Sequence, residues 1–504
     1  MNGSGKFQAK ALFPAAAIIA AYIVLAAANA YTQRPWCDEG WFANPAYNLI
    51  THGTMGTTVL EPRGNPRHPW GIREHTYWIT PLHILAQAAW YKTTGFSLAS
   101  MRALSMVWGL IGLAAWFQIV RVLTGRNGPA LVAAGLVCCD FTYVSAASVG
   151  RMDMMSAALG WAALAVYLTL RERRLTVAVV ASHALVAAAG LTHPVGGVLA
   201  FAALAFLTLW LDRGRLRLVQ IAASTVPYCV GAIGWGLYIM QDPGSFVAQF
   251  GGNATGRFSQ LLSPLTAIHD EVVRRYLNYY GFRATDSLQA RLKAVVPAAY
   301  VAVFALSLGA RRLRTGVAGT LLGLAGIYVG GLAIFDSTRQ PYYLVYAITA
   351  VGVIFAVVLC EFALRGALHR FAAVSAALLI LLVNLGTLGY RILRLDTMHN
   401  GFAPVLTFLK EAAPAGSAVI ASGEFGFGLG FDSGITDDPT LGYYSGKRPD
   451  FIVVDPLTYQ QSFLEFRRKE PALYGHVKGL LGQEYMRVYN RNSYEVYAKR
   501  RPAR

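Results

Sequence analysis

The sequence predicts an α-helical polytopic membrane protein carrying a small external α/β domain at its C-terminus. Three observations carry that expectation. Of 504 residues, 55% are apolar and only 14% charged. The apolar residues fall into many separate runs of about 17 to 25 residues, the length a helix needs to cross a hydrocarbon layer. After about residue 390 the composition turns soluble. Such runs cross lipid only as helices, because each backbone N–H and C=O must be paired within its own segment, so an all-β architecture is excluded.

The formal net charge is +18, yet the basic residues form short clusters between apolar runs, where the positive-inside rule puts them. No nucleic-acid recognition motif accompanies them, so no nucleic-acid partner is expected. The cysteines (37, 138, 139, 229 and 360) lie mostly inside apolar runs, show no disulfide or metal spacing, and leave Cys37 a lone thiol. Lys6 and Lys10 precede the run Ala11 to Ala30. At about 20 residues that run reads as a retained first helix, entering from inside, rather than as a cleaved signal.

Clusters at Arg171, Arg173 and Arg174, at Arg213, Arg215 and Arg217, at Arg311, Arg312 and Arg314, and at Arg365 and Arg370 mark the cytoplasmic side. Even numbers of spans must separate them. Helices are predicted over roughly 98 to 123, 129 to 147, 153 to 170, 175 to 191, 193 to 211, 218 to 240, 293 to 310, 315 to 335, 341 to 361 and 371 to 389. With the first helix this gives about 11 transmembrane helices. Parity then forbids the run Tyr77 to Tyr91 from crossing, and its terminal aromatics suit a helix lying along the outer interface.

The division that follows is a transmembrane module over 1–390, with a first external loop at 31–97 and a second at 241–292, and an external domain over 391–504. In the latter, Ala418 to Ile420 and Phe451 to Val454 read as buried strands, and Pro404 to Ala412 and Gln460 to Arg468 as helices. The glycine-rich stretch Gly423 to Gly430 lacks the GxGxxG spacing and any GK[ST], so a turn or packing role is expected. No internal repeat or low-complexity tract is evident.

The stretch Trp36-Cys37-Asp38-Glu39-Gly40-Trp41 sets two carboxylates just beyond the first span. The external face offers no ready ATP or nucleotide-sugar, so a transferase there would draw on a lipid-anchored donor. Asp38 fits a base that accepts a proton from an attacking hydroxyl. A sugar phosphate already has a stable leaving group, so cations replace the second acid of a glycosidase. A solvated acidic first turn of a helix is the plainer reading of Asp38-Glu39. Glu39 would orient an acceptor or help hold a metal.

Arg151 and Asp153 begin a span on the same side, either as a self-satisfied pair or with Asp153 as a second acidic residue facing Asp38. Arg339, in Phe335 to Tyr343, suits phosphate through its planar donors or snorkels to the interface. Arg102, at the external end of its helix, reads the same way. Arg274 and Arg275 sit on a segment fit for headgroups or donor binding. Histidines 68, 75, 83 and 193 fall on the external side. With Glu39 or Glu74 they are candidate ligands for a divalent metal, the one cofactor the sequence suggests, though none shows a ligand spacing.

These motifs resemble those of polyprenyl-phosphate-dependent glycosyltransferases of the GT-C class, akin to protein O-mannosyltransferases and the lipid A aminoarabinose transferase. Trp36-x-Asp38-Glu39-Gly40-x-Phe42-Ala43 with Tyr47-Asn48-Leu49-Ile50-x-His52-Gly53 is similar to their first external loop. Thr80-Pro81-Leu82 resembles their KPPL or HPPL element, Gly95-x-Ser97 with Arg102 their G-x-S...R segment, and Arg151-x-Asp153 their R-x-D. Arg339-x-x-Tyr342-Tyr343 resembles their late K/R-x-x-Y-Y-L stretch. The likeness runs over about residues 10 to 390. It departs at Thr80, which stands where Lys or His commonly precedes paired prolines.

The resemblance implies an inverting hexosyl- or pentosyltransferase of the inner membrane, with its site and C-terminal domain on the periplasmic face. Its donor would be a polyprenyl-phosphate-linked sugar and its acceptor a lipid, glycan or protein. Asp38 would be the base and Asp153 the second-loop acid, with Arg339, Arg102, Arg151, Tyr342 and Tyr343 about the donor phosphate. A transporter or lipid flippase is the alternative, since it too needs intramembrane charges. A transporter would usually show repeats and broken helices near the midplane.

Overall fold

The computed structural model describes residues 4–61, 71–255, 263–282, 291–309, 316–414 and 416–500. Among these, nine helices are long and apolar enough to cross a membrane. The predicted span over 129 to 147 is instead two helices, Asn127–Cys139 and Phe141–Ala147, bent by 68°. Asp140 makes the break: its carboxylate accepts from the backbone N–H of Thr142 (2.9 Å) and Tyr143 (3.1 Å), capping the second piece. Asn384 accepts from the N–H of Phe141 at 2.9 Å, so a neighbouring helix satisfies the interrupted ladder. The remaining predicted segment is the 15-residue helix Val295–Gly309.

The amphipathic helix expected over Tyr77 to Tyr91 begins later, as Pro81–Thr94. Pro81 favours that start, because the first position needs no N–H donor. Tyr77 and Trp78 remain outside it, both donating their N–H groups to Gln249 Oε1, at 2.7 and 3.2 Å. At about 21 Å the helix is too short to span.

One end of the bundle is tied by Asp212, which takes Arg171 at 2.6 Å, Arg215 at 2.8 Å and the Tyr167 hydroxyl at 2.6 Å. These arginines belong to the clusters read as cytoplasmic. The opposite end gathers Asp38, Arg151, His193 and Tyr342 around one cavity.

Beyond Tyr390 the helical path runs on through short π turns to Ala412, kinked at Asp396, whose φ is 30°. A five-stranded sheet follows: β1 (Val419–Ile420), β2 (Ile435–Thr436), β3 (Phe451–Val454), β4 (Tyr485–Arg491) and β5 (Tyr494–Lys499). Its order is β2-β1-β3-β5-β4, parallel among the first three and antiparallel thereafter. The helices Tyr459–Lys469 and Pro471–Gly479 bury Tyr459, Phe466, Leu473 and Val477 with Ile452 and Val454 of β3.

The sheet is docked on the first loop. Phe42, Ala43 and Ala46 share one apolar cluster with Phe425, Phe431, Ile435 and Val453. The glycine-rich stretch forms this contact by packing, as expected: a Cβ on Gly426 would lie 2.1 Å from the Phe431 ring and one on Gly428 2.3 Å from Leu406. Gly40 meets backbone rather than a side chain, since a Cβ there would lie 2.2 Å from the Gly423 carbonyl carbon. Backbone cannot yield as a flexible side chain does. Gly40→Ala should therefore destabilise the fold by about 1–3 kcal/mol through overpacking, read as a lower Tm with faster proteolysis between residues 390 and 420.

Candidate active site

The helix Cys37–Thr51 carries the acidic pair, and its first turn fixes how the two carboxylates divide. Glu39 folds back to accept the N–H of Trp36 at 3.0 Å. Arg102 meets it fork to fork, Nε to Oε1 and Nη2 to Oε2, both at 2.8 Å, and the Gly150 N–H adds a third donor at 2.8 Å. Arg102 spends its other donors on the carbonyls of Ala30, Gln33 and Arg34. Glu39 is fully buried and Arg102 2% exposed. Two sequence expectations are corrected here: Glu39 is not free to orient an acceptor or to hold a metal, and Arg102 has no donor left for a phosphate. A buried carboxylate must be paired, and this pair consumes both groups.

Successive helical residues point about 100° apart, so Asp38 faces elsewhere, into a cavity of about 210 Å³. Its side chain keeps 17% exposure. Arg151 lies between Asp38 and Asp153, one Nη in contact with Asp38 and Nε 2.8 Å from Asp153. The Arg151 guanidinium lies 3.6 Å from the centroid of the Tyr342 ring. Burial opposes its charge, while the Asp153 carboxylate beside it offsets that cost and holds it protonated. Asp153 is 2% exposed. The structure thus brings together four of the predicted residues, Asp38, Arg151, Asp153 and Tyr342, around one guanidinium.

Tyr343 completes the wall with His193, whose Nε2 is 3.2 Å from the tyrosine hydroxyl. His193 Nδ1 accepts from the Gly196 N–H at 3.4 Å. That bond puts the proton of a neutral ring on Nε2, which donates to Tyr343. Trp41, Phe42, Trp78 and Phe250 supply aromatic faces and Asn253 a polar edge. Trp78, Phe250 and Asn253 carried no motif and were missed from sequence.

Arg339 is placed differently from the expectation. It donates to Glu271 at 3.2 Å and to the carbonyls of Ala267 (3.0 Å), Leu332 (3.3 Å) and Asp336, while Arg275 pairs with Glu271 at 2.7 Å and with Asp336. This buried ion cluster anchors the Pro341–Tyr343 turn from behind, and Arg339 does not line the Asp38 cavity. As a donor-phosphate ligand it is therefore corrected to a positioning residue.

His75 stacks on Tyr77 in a different groove, His83 is buried beside Gln87, and His68 lies outside the described residues. Among the described residues no three His, Cys, Asp or Glu side chains form a group that could hold a metal ion. His193 is the one histidine at the cavity wall.

Trp41 is held in that wall from outside. Its Nε1 donates to Asp437 at 2.8 Å, and Asp437 also accepts the Gly423 N–H (2.8 Å) and the Tyr459 hydroxyl (3.2 Å). Burial, with Asp455 nearby, pushes the Asp437 carboxyl up to about 7. Burial pushes neighbouring Glu424 well above the usual carboxylate range too, followed by the charge of Asp455.

No family model matches the chain, and no curated protein does. Solved structures do. ArnT from Cupriavidus metallidurans, bound to undecaprenyl phosphate, matches over 96% of this chain and 97% of its own, at 16% identity and a TM-score of 0.59. The oligosaccharyltransferase of Archaeoglobus fulgidus matches over 96% of this chain and 74% of its own, at 14% identity and a TM-score of 0.55. The same archaeal enzyme, AglB, in complex with an inhibitory peptide and a dolichol-phosphate, matches at a TM-score of 0.52. The chain has the GT-C fold. The GT-C resemblance in the sequence is therefore met at the level of architecture, and nearly the whole length of the ArnT chain is covered.

Two outcomes follow from the buried charges. Arg102→Met strands the Glu39 carboxylate and should cost about 3–5 kcal/mol, while the double variant with Glu39→Leu should recover most of that loss in thermal unfolding. For Asp437 and Glu424 the folded pKa lies above the unfolded one, so the folded state binds more protons and stability falls as pH rises from about 4 to about 7. A Tm profile over that window should slope downward, and Asp437→Asn should flatten part of the slope.

Proposed function

We propose that this protein transfers a sugar from a polyprenyl phosphate to an acceptor hydroxyl on the periplasmic face of the inner membrane, with Asp38 as the base. The observation that carries the reading is the position of Asp38: a partly exposed carboxylate on the wall of an aromatic cavity, beside a buried cation. The aromatic walls suit the face of a sugar ring. An apolar groove of about 420 Å³ between the helices Leu175–Thr192, Pro194–Asp212 and Leu218–Ile239 shares Thr80, Pro194 and Phe250 with that cavity. Such a groove suits a polyprenyl chain whose phosphate enters the cavity.

The acceptor oxygen attacks the anomeric carbon as the carbon–oxygen bond to the phosphate breaks. The phosphate leaves with the bonding electron pair, the acceptor proton passes to Asp38, and the anomeric configuration inverts. Arg151 and the Tyr343 hydroxyl stabilise the developing phosphate charge. Arg151 is shared between two carboxylates before the donor arrives. An incoming phosphate competes for the guanidinium and frees Asp38 to accept a proton, which couples donor binding to activation of the base. The fold of ArnT and AglB supports the general kind of chemistry and leaves the sugar and acceptor to be found.

Asp38→Asn keeps the size and one acceptor of the side chain while removing its basicity. Transfer of radiolabelled sugar from a membrane-extracted lipid donor should fall by roughly 10²–10⁴-fold, the scale of a lost general base. Binding of decaprenyl phosphate should persist. Turnover near that of the unmodified protein would refute the assignment.

A further inference from the structure

A second cavity, of about 280 Å³, lies on the other side of Arg151 and Tyr342, which line both. Its walls come from Arg34, Gln33, Thr142, Ser145, Tyr279 and Arg391. Every buried arginine near the first cavity is paired with a carboxylate: Arg102 with Glu39, Arg151 with Asp38 and Asp153, and Arg275 and Arg339 with Glu271.

Arg34 and Arg391 differ. Arg34 donates to the Tyr494 hydroxyl at 3.1 Å, and Arg391 donates to Ser145 Oγ at 2.5 Å and Gln33 Oε1 at 3.3 Å. Among the described residues their side-chain partners are neutral oxygens, and neither is ion-paired with a carboxylate. Gln33 binds Arg391 in both directions, its Nε2 donating to the Arg391 carbonyl at 3.1 Å, so the two cationic segments are locked together. The Arg34 N–H donates to Thr397 Oγ1 at 3.0 Å, which fixes the backbone beside them. Lys293 adds charge from behind, 5.5 Å from the Tyr279 ring centroid.

Of the two carboxylates that also border this cavity, Glu39 is paired with Arg102, and Asp153 shares Arg151 with Asp38. Partly buried guanidinium groups without acidic partners carry an uncompensated desolvation cost that an oxyanion would offset. Arg391 directly follows the span Ala367–Tyr390, beside this cavity.

We propose that this second cavity is the acceptor subsite, and that the acceptor bears an oxyanion, a phosphate or carboxylate, held by Arg34 and Arg391. This rests on the transferase reading above. The two cavities meet at Arg151, so an acceptor anchored in the second would present its hydroxyl toward Asp38, while the donor fills the first. The shared chemistry is that of an anionic lipid headgroup or an anionic glycan.

The test uses the full chain in phosphatidylcholine nanodiscs with two charged probes, dihexanoyl phosphatidic acid and glucose 1-phosphate. Their uncharged counterparts are dihexanoylglycerol and glucose. Calorimetry should show saturable binding of at least one charged probe and of neither neutral one, and the tighter probe tells lipid from glycan. Arg391→Met and Arg34→Gln should each weaken it roughly tenfold or more, the loss of charge-assisted contacts. Decaprenyl phosphate binding should stay unchanged in both variants, which also shows that they are folded.

Failure of both charged probes to bind, or equal binding in the variants, would overturn the subsite while leaving the transferase reading intact. A parallel loss of decaprenyl phosphate would reassign the cavity to the donor. Absence of decaprenyl phosphate binding in the unmodified protein, with probe binding retained, would instead remove the transferase reading and the acceptor assignment with it.

Discussion

The Glu39–Arg102 pair is the contact on which the geometry of the site depends. It joins the helix Cys37–Thr51 to the helix Leu98–Thr124 through two parallel charge-assisted bonds, and it takes in the backbone of Ala30, Gln33 and Arg34 as well. Neither group can leave without stranding the other in a buried setting. Once Glu39 is fixed inward, helical rotation aims Asp38 at the cavity. The Gly150 N–H on Glu39 then draws the next segment in, setting Arg151 beside Asp38. The position of Asp38 is thus determined by its neighbour, through covalent geometry, more than by contacts of its own.

The C-terminal sheet acts on the same helix from the other side. Gly40 admits the Gly423 backbone, and Trp41 is pinned by Asp437, so residues 39, 40 and 41 are each committed to a different partner. Holding Trp41 through a carboxylate that is itself costly to bury makes this docking dependent on protonation. A soluble domain that shapes the wall of a membrane cavity is then part of the site's architecture rather than an appendage.

Much of this was legible in the sequence, and the limits are physical. Apolar run lengths gave most of the spans, because lipid leaves the backbone few options. Parity alone grouped Asp38, Arg151, His193 and Tyr342 at one end of the bundle. The break at Asp140 was missed because an apolar run shows no difference between a straight helix and one recapped by a neighbour's Asn384. The roles of Glu39, Arg102 and Arg339 were also misread. Each is a charged residue in the right region, and only packing shows whether its bonds are already spent. Glu271, which occupies Arg339, lies 68 positions away in the chain, beyond any local pattern.

The two carboxylates on Arg151 are unequal, and the inequality argues for the role of each. Asp153 stands in the first turn of the helix Met152–Leu170, where the helix dipole favours its charge. It is almost wholly buried and holds Nε at 2.8 Å. Asp38 holds one Nη from a cavity wall and retains access to whatever fills that space. In the proposed transfer, a phosphate entering the cavity would reach Arg151 from the Asp38 side, displacing Asp38 and leaving Asp153 in place. The buried partner would then keep the cation oriented, and the accessible one would be released to accept a proton. A single arginine between two carboxylates of different burial is therefore enough to separate the positioning task from the chemical one.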